Sequence, residues 1–183
     1  MRMNGLLALI SIAFALASGA SPAQSQQPYA GLEARQIKAL SEQQIADLKA
    51  GRGMGLALAA ELNGYPGPMH VLEFSDPLGL TDAQRAKMQQ LFAAMKAEAV
   101  PLGEKLIAQE ADLDRAFAGK TITPASLAAL TDAIGSTQAA LRAAHLKYHL
   151  STVEVLTPAQ IERYAELRGY ARRPHNQHKD HRR

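Results

Sequence analysis

One short pattern, occurring twice, most constrains this chain: Leu80-Thr81-Asp82-Ala83-Gln84 and Leu156-Thr157-Pro158-Ala159-Gln160. A threonine hydroxyl can accept from the backbone amide three residues on. A glutamine at that third position can reach back to the threonine's own amide, so the pair closes a helix N-terminus. Asp82 adds negative charge where the helix dipole favours it, and Pro158 occupies a first-turn position where no amide is needed. Thr81, Gln84, Thr157 and Gln160 therefore read as structural helix caps. Between the two starts, alanine and leucine dominate and no alternating strand pattern of useful length appears. The spacing predicts a helix from Thr81 to about Ala118, bent near Pro101, and another from Thr123 to about Val155. Gly119 to Thr123 is a short joint, so these two lie antiparallel. Shorter helices are expected at Ala30–Lys49, Met54–Leu62 and Thr157–Arg168. Tyr65-Pro66-Gly67-Pro68 and Asp76-Pro77-Leu78-Gly79 bracket a connection that is not helical throughout. The fold class is all-α: a long bent antiparallel helical hairpin with shorter N- and C-terminal helices.

The N-terminus reads as an export signal. Arg2 precedes a nearly unbroken apolar run from Leu6 to Ala17, and small residues follow at Ser18, Gly19, Ala20 and Ala23. The domain reading is a signal peptide at 1–23, a helical periplasmic domain at 24–170, and a disordered His/Arg-rich tail at 171–183. An uncleaved membrane anchor is the alternative for the first segment. No cysteine is present, which excludes a lipid-modified cysteine, disulfides and thiolate metal sites. Any soft-metal site must use His, Met and carboxylates. The net charge of +3 is local in origin. The tail alone carries five cationic residues against Asp180, and the body without it and Arg2 is acidic. Tryptophan is absent and aromatics are 5%, which argues against a base-stacking nucleic-acid platform.

Paired LTxxQ starts behind an export signal, in a cysteine-free helical chain, resemble the Spy/CpxP superfamily of periplasmic proteins. Ala60-Glu61-Leu62-Asn63-Gly64-Tyr65-Pro66-Gly67-Pro68 and Leu167-Arg168-Gly169-Tyr170 are similar to its CnrX-like heavy-metal sensor and resistance branch. The resemblance implies a hooked helical hairpin, often dimeric, that senses metal or acts as an envelope-stress chaperone. An extra N-terminal helix and the Pro/Gly-rich insert depart from the family pattern.

Two histidines four apart, His145 and His149, project from one helix face. That spacing suits two imidazoles on one borderline metal, and equally two packing histidines. With the joint centred on Lys120-Thr121, His145 is expected level with Ala97 and His149 with Ala93. Met95 and Glu98 then supply a thioether and a carboxylate, with core filling and a solvated face as their plainer roles. Met69 and His70, with Met54 nearby, would suit copper. His175, His178 and His181 recur every third residue in the tail, where such tracts bind metal weakly. The implied cofactor is a divalent transition metal or copper.

No Ser/His/Asp grouping, phosphate-cradling loop or zinc-protease motif is present, so the chain does not read as an enzyme. Gly51-Arg52-Gly53-Met54-Gly55 lacks the strand a nucleotide loop needs. Two readings follow. In the first, a periplasmic heavy-metal-binding or sensing protein uses metal to favour one hairpin geometry and so alters contact with a membrane signalling partner. In the second, an ATP-independent periplasmic chaperone of the envelope stress response holds unfolded clients on apolar patches.

Overall fold

Among the described residues, four of the six α-helices begin with the same reciprocal cap, in which a hydroxyl residue and the residue three positions on exchange bonds. The boxes are Ser41 with Gln44, Thr81 with Gln84, Thr123 with Ser126, and Thr157 with Gln160. Each supplies partners for amides that a helix start leaves orphaned, a contribution of about 1 kcal/mol apiece. The computed structural model describes residues 29–170, and the body treated below begins at Gly31. The export segment 1–23 and the tail 171–183, with its three histidines, lie outside the described residues.

The elements are α1 (Glu42–Lys49), α2 (Leu58–Glu61), α3 (Pro68–Glu73), α4 (Asp82–Ala118), α5 (Pro124–Val153) and α6 (Pro158–Leu167). A single 3-10 turn at Leu32–Ala34 precedes them. No strand occurs among the described residues. The helices α4 and α5, of 37 and 30 residues, form the antiparallel hairpin that the short joint predicts, and Pro101 lies inside α4. Among the described residues, no helix is long and apolar enough to cross a membrane.

Two shorter helices depart from their sequence-based bounds. The helix expected from Ala30 starts only at Glu42, because Ser41 takes an extended conformation and caps it. Leu40-Ser41-Glu42-Gln43-Gln44 is thus a third, serine version of the repeated start. The helix expected from Met54 starts at Leu58, since Met54 and Gly55 adopt left-handed backbone at φ 44° and 82°. Within the Pro/Gly connection, Pro68 at a first-turn position opens the short α3.

Two apolar clusters hold these pieces. In the first, Ile37, Leu40 and Leu48 from the α1 region pack onto Ala99 and Leu106 of α4 and Ile134 and Leu141 of α5. The approach of α1 to α4 is close enough that a methyl at Gly103 would collide with the Leu48 carbonyl. In the second, at the open end of the hairpin, Val71, Leu78, Leu80, Met88, Leu156 and Tyr164 pack together. Val71 and Met88 are fully buried. Each such side chain contributes roughly 1.5–3 kcal/mol through removal from water.

Candidate functional site

The two LTxxQ motifs meet at the open end. Gln84 Nε2 donates to Gln160 Oε1 at 2.9 Å, and Gln160 Nε2 donates to Gln84 Oε1 at 3.1 Å. Their second amide protons go to the backbone, Gln84 to the Val155 carbonyl at 3.0 Å and Gln160 to the Leu78 carbonyl at 3.3 Å. Each glutamine oxygen also accepts from the amide of its own cap threonine. The motifs close the hairpin's mouth as one polar clasp.

Behind the clasp sits a buried carboxylate, Glu61, exposed by only 6%. The Tyr164 hydroxyl donates to its Oε1, and the Tyr170 hydroxyl lies 3.4 Å from the same oxygen. Arg168 Nε is 3.6 Å from Oε1, while the Gly67 amide donates to Oε2 at 3.2 Å. Burial, then the bond to Glu61, pushes the Tyr164 hydroxyl pKa far upward, so it stays a donor. Taking a carboxylate out of water is tolerated only with this degree of pairing. The two segments whose wording resembles the heavy-metal branch, around Glu61 and around Arg168-Tyr170, are therefore the two sides of one buried polar cluster.

His149 joins this cluster. Its Nδ1 lies 2.6 Å from the Tyr65 carbonyl and 3.8 Å from Glu61 Oε2. A carbonyl only accepts, so Nδ1 carries a proton and donates it. Gly67 packs against this ring so closely that a Cβ there would sit 2.9 Å from its Cε1. His145, one turn earlier, faces a different neighbour, Gly53, whose Cβ would lie 3.7 Å from Nδ1. The His145 ring is buried and its Nε2 has no hydrogen-bond partner. Burial first, and the nearby His149 second, hold its pKa below the usual histidine value.

The other candidate ligands are distributed. Glu98 is bound to the Tyr148 hydroxyl at 2.6 Å and to Lys147 Nζ at 2.5 Å. Those bonds, Lys147 first, lower the Glu98 pKa, and the Tyr148 hydroxyl is pushed up to about 12 chiefly by its bond to Glu98. They tie α4 to α5 across the hairpin through Glu98, Lys147 and Tyr148. Met95 is buried within the hairpin. His70, on α3, bonds Glu73 at 3.1 Å, and Met69 beside it is exposed. Among the described residues, no group of three or more His, Asp or Glu side chains is arranged to hold a metal ion.

The structure also brings up features that residue-by-residue reading of the chain passed over. Leu58, Leu62, Tyr65, Met69 and Met54 are large apolar side chains left exposed on and around α2, and Leu150 of α5 is 55% exposed. Leu58 and Leu62 are four apart and share a helix face, opposite to the buried Ala60. That signal is present in the sequence as two leucines on a short helix. It becomes informative only when the other side of that helix is seen to be full.

The fold and its clasp define a class of all-helical hairpin proteins with paired LTxxQ helix starts. The LTXXQ motif family protein model matches residues 69–168, and the chain belongs to that family. This family lies within the Spy/CpxP-like superfamily, whose proteins are periplasmic. No curated protein and no solved structure matches the chain.

Proposed function

We propose that this protein is a client-holding protein of the periplasm, an ATP-independent chaperone whose working surface is the exposed apolar face around α2. The observation that carries the reading is the concentration of unburied apolar side chains there. Leu58 is 54% and Leu62 56% exposed, with Tyr65 and Met69 following in the same stretch. Single exposed apolar residues are ordinary, but several on one short stretch form a surface that recognises other apolar surface. The elements beneath it are held by the Glu61 cluster and the glutamine clasp, so the face is presented on a braced support rather than collapsing onto the body. Holding an unfolding chain this way needs no nucleotide, since binding the unfolded state suffices to keep it from aggregating. The test is light scattering of a reduced, aggregating insulin chain, with chelator present. The parent protein is expected to suppress scattering, and Leu58→Ser/Leu62→Ser to lose at least half of that suppression. Equal suppression by the double variant would contradict the reading.

A second reading, a heavy-metal-binding or sensing protein of the CnrX-like kind, is favoured by one observation: the lone, partnerless Nε2 of buried His145. A neutral imidazole with a free lone pair is a ligand in waiting, and His149 has its tautomer set by the Tyr65 carbonyl as a metal-bound histidine would. In that reading His145 and His149 would take a divalent transition metal or copper, with the buried Met95 of α4 as a candidate soft donor. Titration calorimetry with Zn2+ or Ni2+ would test it on a variant with His175, His178 and His181 changed to alanine. Loss of binding on adding His145→Ala/His149→Ala supports it, and unchanged binding removes it. A membrane signalling partner or pairing into a homodimer would belong to this sensing role.

A further inference from the structure

On the hairpin flank under α1 lies an open groove of about 510 Å³, within the roughly 300–1,000 Å³ range of small-molecule sites. Its floor is made by buried leucines, Leu40, Leu48, Leu106 and Leu141. Met54 and Leu56 also line it, as do Gln44 of α1 and Gln138 and Arg142 of α5. The lining charge is of one sign: Arg142 is the only charged lining residue, and no carboxylate lines the groove. Among the described residues Arg142 and Arg35 form no ion pair, whereas Arg52, Arg85, Arg115, Arg163 and Arg168 all do. Gln138 and Arg142 are four apart on α5 and so stand on one face, an amide and a guanidinium side by side.

We propose that this groove binds a free single-chain amphiphilic anion, an acyl-chain carboxylate, with its hydrocarbon along the leucine floor and its carboxylate at Arg142 and Gln138. The distribution of polarity selects this occupant over an apolar peptide. A peptide carries an amide donor and a carbonyl acceptor at every residue, and burying them unpaired is unfavourable. Only three of the lining side chains, Gln44, Gln138 and Arg142, are polar. An acyl chain has no polar group except its head, and one cation with adjoining amides matches one carboxylate. The groove meets the α2 face only at Met54, and neither Leu58 nor Leu62 lines it, so the groove variants and the Leu58/Leu62 variant test the two readings separately.

Gly135 supplies a clean probe. It lines the groove, and a Cβ added there meets nothing within 4 Å, so Gly135→Leu can fill the space without moving the backbone. The experiment titrates laurate, below its micelle concentration, into the full chain by calorimetry, with dodecyltrimethylammonium as a cation of equal chain length. Laurate is expected to bind at least tenfold more tightly than the cation, and Arg142→Gln to weaken it at least fivefold. Gly135→Leu is expected to abolish binding while its thermal midpoint stays at or above the parent's. Should that variant fold poorly, Ala139→Leu fills the same groove from an exposed position. Absence of laurate binding overturns the proposal, as does equal affinity for the cation or undiminished binding by a well-folded groove-filling variant. Displacement of laurate by a neutral, end-capped apolar peptide at comparable concentration would reassign the groove to polypeptide.

Discussion

Gln84 and Gln160 exchange two hydrogen bonds, at 2.9 and 3.1 Å, although 76 residues separate them. Each also caps its own helix and donates to a backbone carbonyl on the far side. One residue type thus serves local helix initiation and long-range closure at once. This explains in physical terms why glutamine, rather than the glutamate a capping box equally accepts, stands at both positions. A carboxylate has no N–H to give to the carbonyls of Val155 and Leu78, and two carboxylates facing each other would repel.

The clasp makes the two motifs energetically coupled. Gln84→Ala and Gln160→Ala are each expected to destabilise the fold by about 1–3 kcal/mol, by leaving partly buried partners unsatisfied. Their double variant should lose less than the sum, with a coupling of about 1 kcal/mol, read from urea unfolding. Strict additivity would mean the caps act separately.

Glu61 anchors the C-terminal side. Glu61→Ala strands the Tyr164 hydroxyl and the Gly67 amide, and a cost of about 3–5 kcal/mol is expected from breaking a buried charged cluster at one partner. Tyr164→Phe removes only one donor and should cost about 1–2 kcal/mol. Chemical denaturation of the two variants gives the comparison, and a larger loss for Tyr164→Phe would contradict this account of the cluster.

His145 gives the fold a pH dependence of predictable sign. Its folded pKa lies below the ordinary histidine value, so between the two values the unfolded chain binds more protons. Stability is therefore fully present above the unfolded pKa of about 6.5 and falls as pH drops toward the folded one. Thermal midpoints of the parent and His145→Gln between pH 7.5 and 5 check this, and the variant should show a shallower decline.

Two glycines on the hairpin helices should respond oppositely to alanine. At Gly103 the new methyl meets the Leu48 backbone carbonyl, so α1 must move; a loss of about 2 kcal/mol or more is expected. At Gly135 the methyl meets open space, and alanine should stabilise by up to about 1 kcal/mol. Thermal unfolding of both variants decides it.

The hairpin, its short joint and its capped starts were legible in the sequence because each depends on residues within a few positions of one another. Thr81 and Gln84 announce a helix start whatever the rest of the chain does. The serine version at Ser41 carried the same signal and shows that hydroxyl identity matters less than the spacing to Gln44. The candidate site was far less legible, because its members come from distant segments. Glu61 looks like an ordinary surface glutamate until Tyr164, Arg168 and Tyr170 arrive from about a hundred positions away. His145 and His149 do share a helix face, yet Gly53 meets one ring while Tyr65 and Gly67 meet the other. Helical spacing fixes direction from the axis and says nothing about which loop covers each ring.

The claim that the α2 face holds clients is tested most directly by where a client touches the protein. A photoreactive side chain placed at Leu62, and separately at exposed Asp132 on α5, would be irradiated with a labelled reduced insulin chain in chelator. Crosslinking concentrated at position 62 and weak at 132 is the predicted result. Equal crosslinking at both positions, or none at 62 while scattering is still suppressed, would contradict it.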